Sequence, residues 1–97
     1  MLKPAYIYIV SNTINGTVYI GVTSNLIKRI WEHKNNVVKG FTQQYALHNL
    51  VYFEMFTDIS QAIAREKQLK HWNRLWKLKL INEANPQWRD LYEEITK

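Results

Sequence analysis

Ala5-Tyr6-Ile7-Tyr8-Ile9-Val10 and Thr17-Val18-Tyr19-Ile20-Gly21-Val22 decide the fold of this chain. Both runs are β-branched and aromatic almost throughout, a composition that suits pleated, half-buried strands. Between them lie Ser11-Asn12-Thr13 and Asn15-Gly16. These residue types favour turns, because Asn and Ser side chains bond to nearby backbone and Gly tolerates positive φ. Two strands joined in this way make a hairpin. Asn15-Gly16 serves either as a two-residue turn or as part of a longer loop. Direct pairing of Tyr8 with Tyr19 and the tight turn both give odd register sums. Any odd sum puts the two phenols on the same face of the sheet, since side chains alternate with period two.

Further along, Thr23 or Ser24 offers an N-cap for a helix from Asn25 to about Val38, with Leu26, Ile30, His33 and Val37 at helical spacing. Lys39-Gly40-Phe41-Thr42 breaks it. Leu50-Val51-Tyr52-Phe53-Glu54-Met55-Phe56 reads as a third strand. Asp58 or Ser60 then opens a long helix, Gln61 to about Asn82, which contains no Gly or Pro. Its apolar stripe is Ala62, Leu69, Trp76 and Leu80. Asn85-Pro86 stops it, and Trp88 to Tyr92 forms a short final helix docked by Trp88 and Leu91. Trp31 and Trp88 read as packing residues in preference to interface residues. The order β-β-α-β-α-α predicts a small α+β layer structure.

The chain has 97 residues, room for one domain spanning 1–97. Apolar residues make up 46% and charged residues 22%, which indicates a globular chain rather than a disordered one. With no cysteine, a disulfide framework, a thiolate zinc site and a cysteine nucleophile are all excluded. No apolar run approaches the roughly 20 residues of a membrane span. Met1-Leu2-Lys3-Pro4 leads into a β-like run, not into a signal peptide. The expectation is a soluble, cytoplasmic protein with no membrane partner. A net charge of +5 favours a polyanionic partner, though weakly.

Four polar features sit awkwardly in this apolar pattern, and each also has an ordinary structural explanation. Tyr8 and Tyr19 share a face, as cross-strand core partners would. Arg29 and His33 lie one helical turn apart beside the stripe of Leu26 and Ile30, where an arginine snorkels and a histidine sits at a core edge. Glu66 falls at the edge of the long helix's stripe, where a carboxylate needs a cation, hydrogen bonds or a metal. Lys70, one turn on, supplies a plain ion pair. Finally, Lys70, Arg74 and Lys77, with Lys67 nearby, line one side of that helix. Such a stripe is either a solvated face or a track for phosphates. Trp72 alone does not turn it into a membrane-surface helix, because the core claims the opposite face.

Tyr6-Ile7-Tyr8 and Val18-Tyr19-Ile20-Gly21 together resemble the two half-motifs of the GIY-YIG nuclease superfamily. The second half is intact; the first carries Tyr6 where the family name has Gly. Three further matches follow in order. Arg29 and His33 lie in Leu26-Ile27-Lys28-Arg29-Ile30-Trp31-Glu32-His33. Glu66 lies in Ala64-Arg65-Glu66-Lys67-Gln68-Leu69-Lys70. Asn85-Pro86, Trp88 and Asp90-Leu91 look like the tail of the small stand-alone branch. The chain is similar to the N-terminal nuclease domain of the bacterial excision-repair incision subunit and to intron-homing nucleases.

The resemblance implies a three-stranded antiparallel sheet flanked by helices and metal-dependent hydrolysis of nucleic-acid phosphodiesters. On that reading Tyr8, Tyr19, Arg29, His33 and Glu66 form the catalytic set. Glu66 gives one Mg²⁺ (or Mn²⁺) a hard oxygen ligand. Arg29 meets the charge that builds on the phosphorane. Tyr19 orients and deprotonates water, although a phenol is a weak base near neutrality and needs adjacent cations. His33 is the rival base or a relay to Tyr19, and Tyr8 positions water or phosphate. Lys67, Lys70, Arg74 and Lys77 hold the flanking backbone without reading sequence. The expected partner is nucleic acid, DNA rather than RNA, engaged by a monomer or weak homodimer. The rival expectations are a non-cutting nucleic-acid-binding module on the same fold and a small protein-interaction domain.

Overall fold

A computed structural model describes residues 3–97; the Met1-Leu2 lead-in lies outside the described residues. Strands β1 (Ala5–Ser11), β2 (Val18–Thr23) and β3 (Asn49–Phe56) form one antiparallel sheet in the order β2-β1-β3. The central strand is the apolar one. Ile7, Ile9 and Val10 are fully buried, as expected of a strand covered on both faces. Tyr8 pairs with Gly21 and Val10 with Tyr19, an odd register sum that leaves both phenols on one face. The ladder closes at Ser11 and Val18, so Asn15-Gly16 belongs to a longer loop and not to a two-residue turn. A bulge between Ile9 and Val10 shifts the β3 register.

Helix α1 (Leu26–Lys34), the four-residue α2 (Phe41–Gln44), α3 (Ile59–His71), α4 (Arg74–Ala84) and the short α5 (Tyr92–Ile95) complete the chain. The sheet separates two cores. Ala5, Ile7, Ile9 and Ile20 pack with Ala62 and Leu69 of α3, Ile81 of α4 and Trp88. Tyr8 and Val10 pack on the other side with Leu26 and Ile30 of α1 and Leu47, bordered by Tyr19 and the α5 region. The α+β architecture with a three-stranded antiparallel sheet is the one expected from the sequence.

Within it, several helix boundaries differ from expectation. Helix α1 starts where Asn25 caps it, its side chain accepting from the Lys28 N–H at 3.1 Å. It stops at Lys34, four residues short of Val38. The Asn35 side chain donates to the Trp31 carbonyl at 2.8 Å, and Asn36 adopts a left-handed φ of 57°, which ends a helix. Val37 is consequently exposed rather than part of the stripe. Trp31 is also half-exposed, so it is not the packing residue expected; Trp88 is buried.

The long helix from Gln61 to Asn82 is two helices. Trp72 is extended, with ψ 147°, and Asn73 caps a new helix by accepting from the Trp76 N–H at 2.9 Å. An Asn cap accomplishes here what neither Gly nor Pro is present to do. The break rotates the second half, leaving Trp76 56% exposed while Ile81 is buried. Trp76 therefore drops out of the apolar stripe. Near the C-terminus, Trp88 takes a positive φ of 53° and the last helix begins only at Tyr92. Its approach is fixed by side chains. Asp90 accepts from the backbone N–H groups of Leu50 and Tyr92, each at 3.1 Å, and pairs with Lys34. Buried Asn85 donates to the carbonyls of Val51 and Arg89.

Candidate active site

The site is built where β1, β2 and α1 meet. Tyr8 projects from the central strand into the α1 layer, where its hydroxyl lies 2.9 Å from Nε2 of His33. That bond spans 25 positions in sequence. The ring of Tyr8 lies flat against β2 because the residue opposite is Gly21. A Cβ on Gly21 would stand 2.4 Å from both Cζ and Oη of Tyr8, so any side chain there would expel the phenol. The glycine of the second half-motif thus makes room for the tyrosine of the first.

Tyr19 stands two residues before Gly21 on the same face. Its ring centroid is 6.5 Å from Tyr8 and 6.0 Å from His33. His33 therefore touches Tyr8 directly, and the expected relay from His33 to Tyr19 has no direct hydrogen bond among the described residues. Tyr19 is half-buried at the rim, whereas Tyr8 and His33 are buried.

Burial dominates the electrostatics of this pair. It pushes the Tyr8 phenol well above its usual range, with Tyr19 adding to the shift and Arg29 opposing it. Burial first, and the Arg29 guanidinium second, lower the His33 imidazole from 6.5 to about 4. At neutral pH the pair is a neutral phenol and a neutral imidazole sharing one hydrogen bond. Nδ1 of His33 is buried with no hydrogen-bond partner.

Arg29 precedes His33 by one turn of α1. Its Nε lies 3.6 Å from Glu32 Oε1, too far for a hydrogen bond, and is a second buried polar atom without a partner. Glu66 comes from α3, in the other layer, and its charge still reaches Tyr8. The ion pair expected with Lys70 is present at 3.6 Å. That separation leaves the carboxylate's lone pairs largely free, which suits a hard cation filled out by water and substrate oxygens. Among the described residues no three His, Cys, Asp or Glu side chains converge. Lys70 also holds its ammonium 5.5 Å above the Tyr19 ring, which links the Glu66 side of the site to the tyrosine side.

The basic stripe is not the single row expected, because the helix breaks within it. Lys67 is exposed on α3. Arg74 turns away, donating to the carbonyls of Asn15 and Gly16 at 2.7 Å and pinning the hairpin loop to α4. Lys70 and Lys77 do converge, lining one surface pocket with Val18, Tyr19, Ile20 and Phe41.

Three features around the site went unread in the sequence. The Gly21–Tyr8 fit was signalled only by a glycine within a strand. Arg65 makes a two-pronged ion pair with Glu54 of β3 at 2.9 and 3.0 Å; the clue was a carboxylate in an otherwise apolar strand. Phe41 was read only as part of a helix-breaking segment.

No helix among the described residues is long and apolar enough to cross a membrane. The sequence profile of the GIY-YIG catalytic domain matches residues 4–79. The UPF0213 protein SSP2268 of Staphylococcus saprophyticus is 41% identical over 79 residues, 81% of this chain and 95% of that protein. The UPF0213 protein CPE1444 of Clostridium perfringens is 34% identical over 90 residues, 93% of this chain and 96% of that one. The solution NMR structure of the UPF0213 protein BH0048 from Bacillus halodurans superposes with a TM-score of 0.57 at 24% identity. It covers 90% of this chain and 92% of that one, and speaks for the fold. The profile match spans most of the chain and the relatives align over nearly their whole length, so this protein belongs to the GIY-YIG catalytic-domain family and groups with its UPF0213 members.

Proposed function

We propose that the chain is a cytoplasmic, metal-dependent endonuclease that hydrolyses nucleic-acid phosphodiesters, DNA rather than RNA, with little sequence specificity of its own. Family membership points to nuclease activity. The observation that carries the finer reading is the convergence of Tyr8, Tyr19 and His33, with the Lys70–Glu66 pair joined to them through the Tyr19 ring. The preference for DNA rests on the resemblance to excision-repair and homing nucleases.

Glu66 is the residue that would hold a divalent cation, Mg²⁺ or Mn²⁺. When bound, the cation would neutralise phosphate charge and stabilise the leaving oxygen. The chain's own residues do the rest. Arg29 offers a permanent positive charge to the oxygens of the transition state. Tyr19, at the accessible rim, orients the attacking water. The water proton has two routes: onto the Tyr8 oxygen as Tyr8 passes its own proton to His33, or onto Tyr19 once that phenol has given up its own proton. The 2.9 Å bond supplies the geometry for a proton passing from Tyr8 to His33; with its pKa held at about 4 the imidazole is a weak base, so this route needs the charge that the substrate brings. A substrate phosphate close by would raise the basicity of His33, since an anion favours the imidazolium. Water adds to phosphorus, and the phosphorus–oxygen bond on the far side breaks.

The test is cleavage of labelled single-stranded, duplex and branched DNA and of RNA in Mg²⁺, Mn²⁺ or EDTA. Metal-dependent cutting supports the proposal. Binding without cutting on every substrate would leave a nucleic-acid-binding module.

A further inference from the structure

Resting on the nuclease reading, we infer that the substrate presents an unpaired nucleotide beside the cut, and that its base stacks on Phe41. The pocket carrying the rim tyrosine brings together four elements: Val18, Tyr19 and Ile20 of β2, Phe41 of α2, Lys70 of α3 and Lys77 of α4. Its two cations suit the phosphates of a strand passing Tyr19. Phe41 has no counterpart in a site built for phosphate alone. It is 48% exposed, and what sets it apart from other exposed apolar side chains is its place on one pocket with Tyr19 and two lysines.

The local structure holds that ring in place. Gly40 takes a positive φ of 98°, with open space where its Cβ would be, and this turn starts α2. One turn later Tyr45, itself 44% exposed, packs its ring 4.8 Å from that of Phe41. The result is a buttressed, solvent-facing aromatic on the same pocket as Tyr19 and two lysines.

Charge complementarity identifies the occupant as a polyanion, and the exposed aromatic identifies it as one with free flat faces. A base inside a duplex is stacked on both sides and cannot offer a face. A base in a single strand, a flap or a splayed junction can, and aromatic stacking of this kind tolerates any base. The substrate class that fits is therefore single-stranded or locally unpaired nucleic acid, bound without sequence reading.

The experiment measures binding of fluorescent single-stranded and fully paired oligonucleotides of equal length in EDTA, for the unaltered chain, Phe41→Ala, Phe41→Leu and Phe41→Trp. The ratio of single-strand to duplex affinity should fall roughly tenfold in Phe41→Ala. It should also fall in Phe41→Leu, which keeps apolar bulk, and be kept in Phe41→Trp. An unchanged ratio in Phe41→Ala, or full retention in Phe41→Leu, would overturn the inference. Because chelation removes cleavage from the readout, the outcome is separable from the nuclease reading. A chain that never cuts can still show the Phe41-dependent ratio, and a chain that cuts can lack it.

Discussion

The two faces of the sheet are built on different terms. On the α3–α4 side Ile7, Ile9, Ile20, Val51, Leu69 and Ile81 interlock as an aliphatic core. The neighbouring charges there are matched, with Arg65 held by Glu54 and stacked 5.3 Å from the Trp72 ring. On the α1 side Tyr8 and His33 are buried, with Tyr19 packed against them at the rim. Polar atoms there are left unmatched: Nε of Arg29 and Nδ1 of His33 are buried without partners. Burying polar groups without partners costs free energy; Oγ of Ser11, at the end of β1, and Oγ1 of Thr42 in α2 are left in the same way. On the proposed function, stability resides chiefly in one layer and reactivity in the other. They meet at β2, where Lys70 of α3 reaches over Tyr19.

That division is sharpest at the level of single substitutions. Ile9→Ala, in the aliphatic layer, should lower unfolding free energy by about 4 kcal/mol, the cost of a cavity in a closed core. Urea denaturation checks it. A loss below about 1 kcal/mol would mean that this layer is not the stabilising one. Arg29→Ala, in the other layer, should instead reduce kcat/KM by about 3 kcal/mol, on the scale of losing one oxyanion donor. Its denaturation midpoint should barely move. Comparable losses of stability and rate would erase the distinction between the faces.

Acid should strike the reactive layer selectively. The folded-state pKa of His33 is lowered to about 4 from 6.5. Protons therefore favour the unfolded chain between these values. Stability present above pH 6.5 should decline as pH falls toward 4, by up to about 3 kcal/mol. His33→Leu should flatten that window in denaturant titrations at pH 7, 5.5 and 4.5. A slope that survives the substitution would assign the acid sensitivity to other groups. Smaller still, Gly21→Ala should cost about 2 kcal/mol through overpacking against Tyr8 and should also reduce activity. Added to Tyr8→Ala, which removes the ring it strikes, Gly21→Ala should cost little further stability; an undiminished cost in the double variant would place the strain elsewhere.

Much of this was legible in the sequence because it depends on local pattern. The β-branched runs marked the strands, and period-two alternation put Tyr8 and Tyr19 on one face for any odd register sum. Helical spacing put Arg29 and His33 one turn apart. The break at Trp72-Asn73 was illegible by periodicity, since it depends on a side-chain cap and not on a helix-breaking residue. The Tyr8–His33 bond was likewise beyond spacing arguments. Two residues on inward faces have many ways to miss each other, and only the register and the absent side chain of Gly21 bring them into contact. The bonds from Arg74 to the hairpin loop were likewise illegible, because a stripe drawn on an unbroken helix cannot show that its guanidinium donates to the carbonyls of Asn15 and Gly16.

The most direct test of the central claim is cleavage of labelled nucleic acid by Glu66→Gln beside the unaltered chain, each with Mg²⁺ and with EDTA. The substitution keeps the volume of a half-buried side chain and removes only the charge that would hold the cation. The account predicts metal-dependent cutting by the unaltered chain and at least a hundredfold loss in the variant, of the order expected when one charge-stabilising group is removed from a transition state. The two proteins should have the same thermal midpoint. Equal cutting by both, or cutting by the unaltered chain in EDTA, would contradict it.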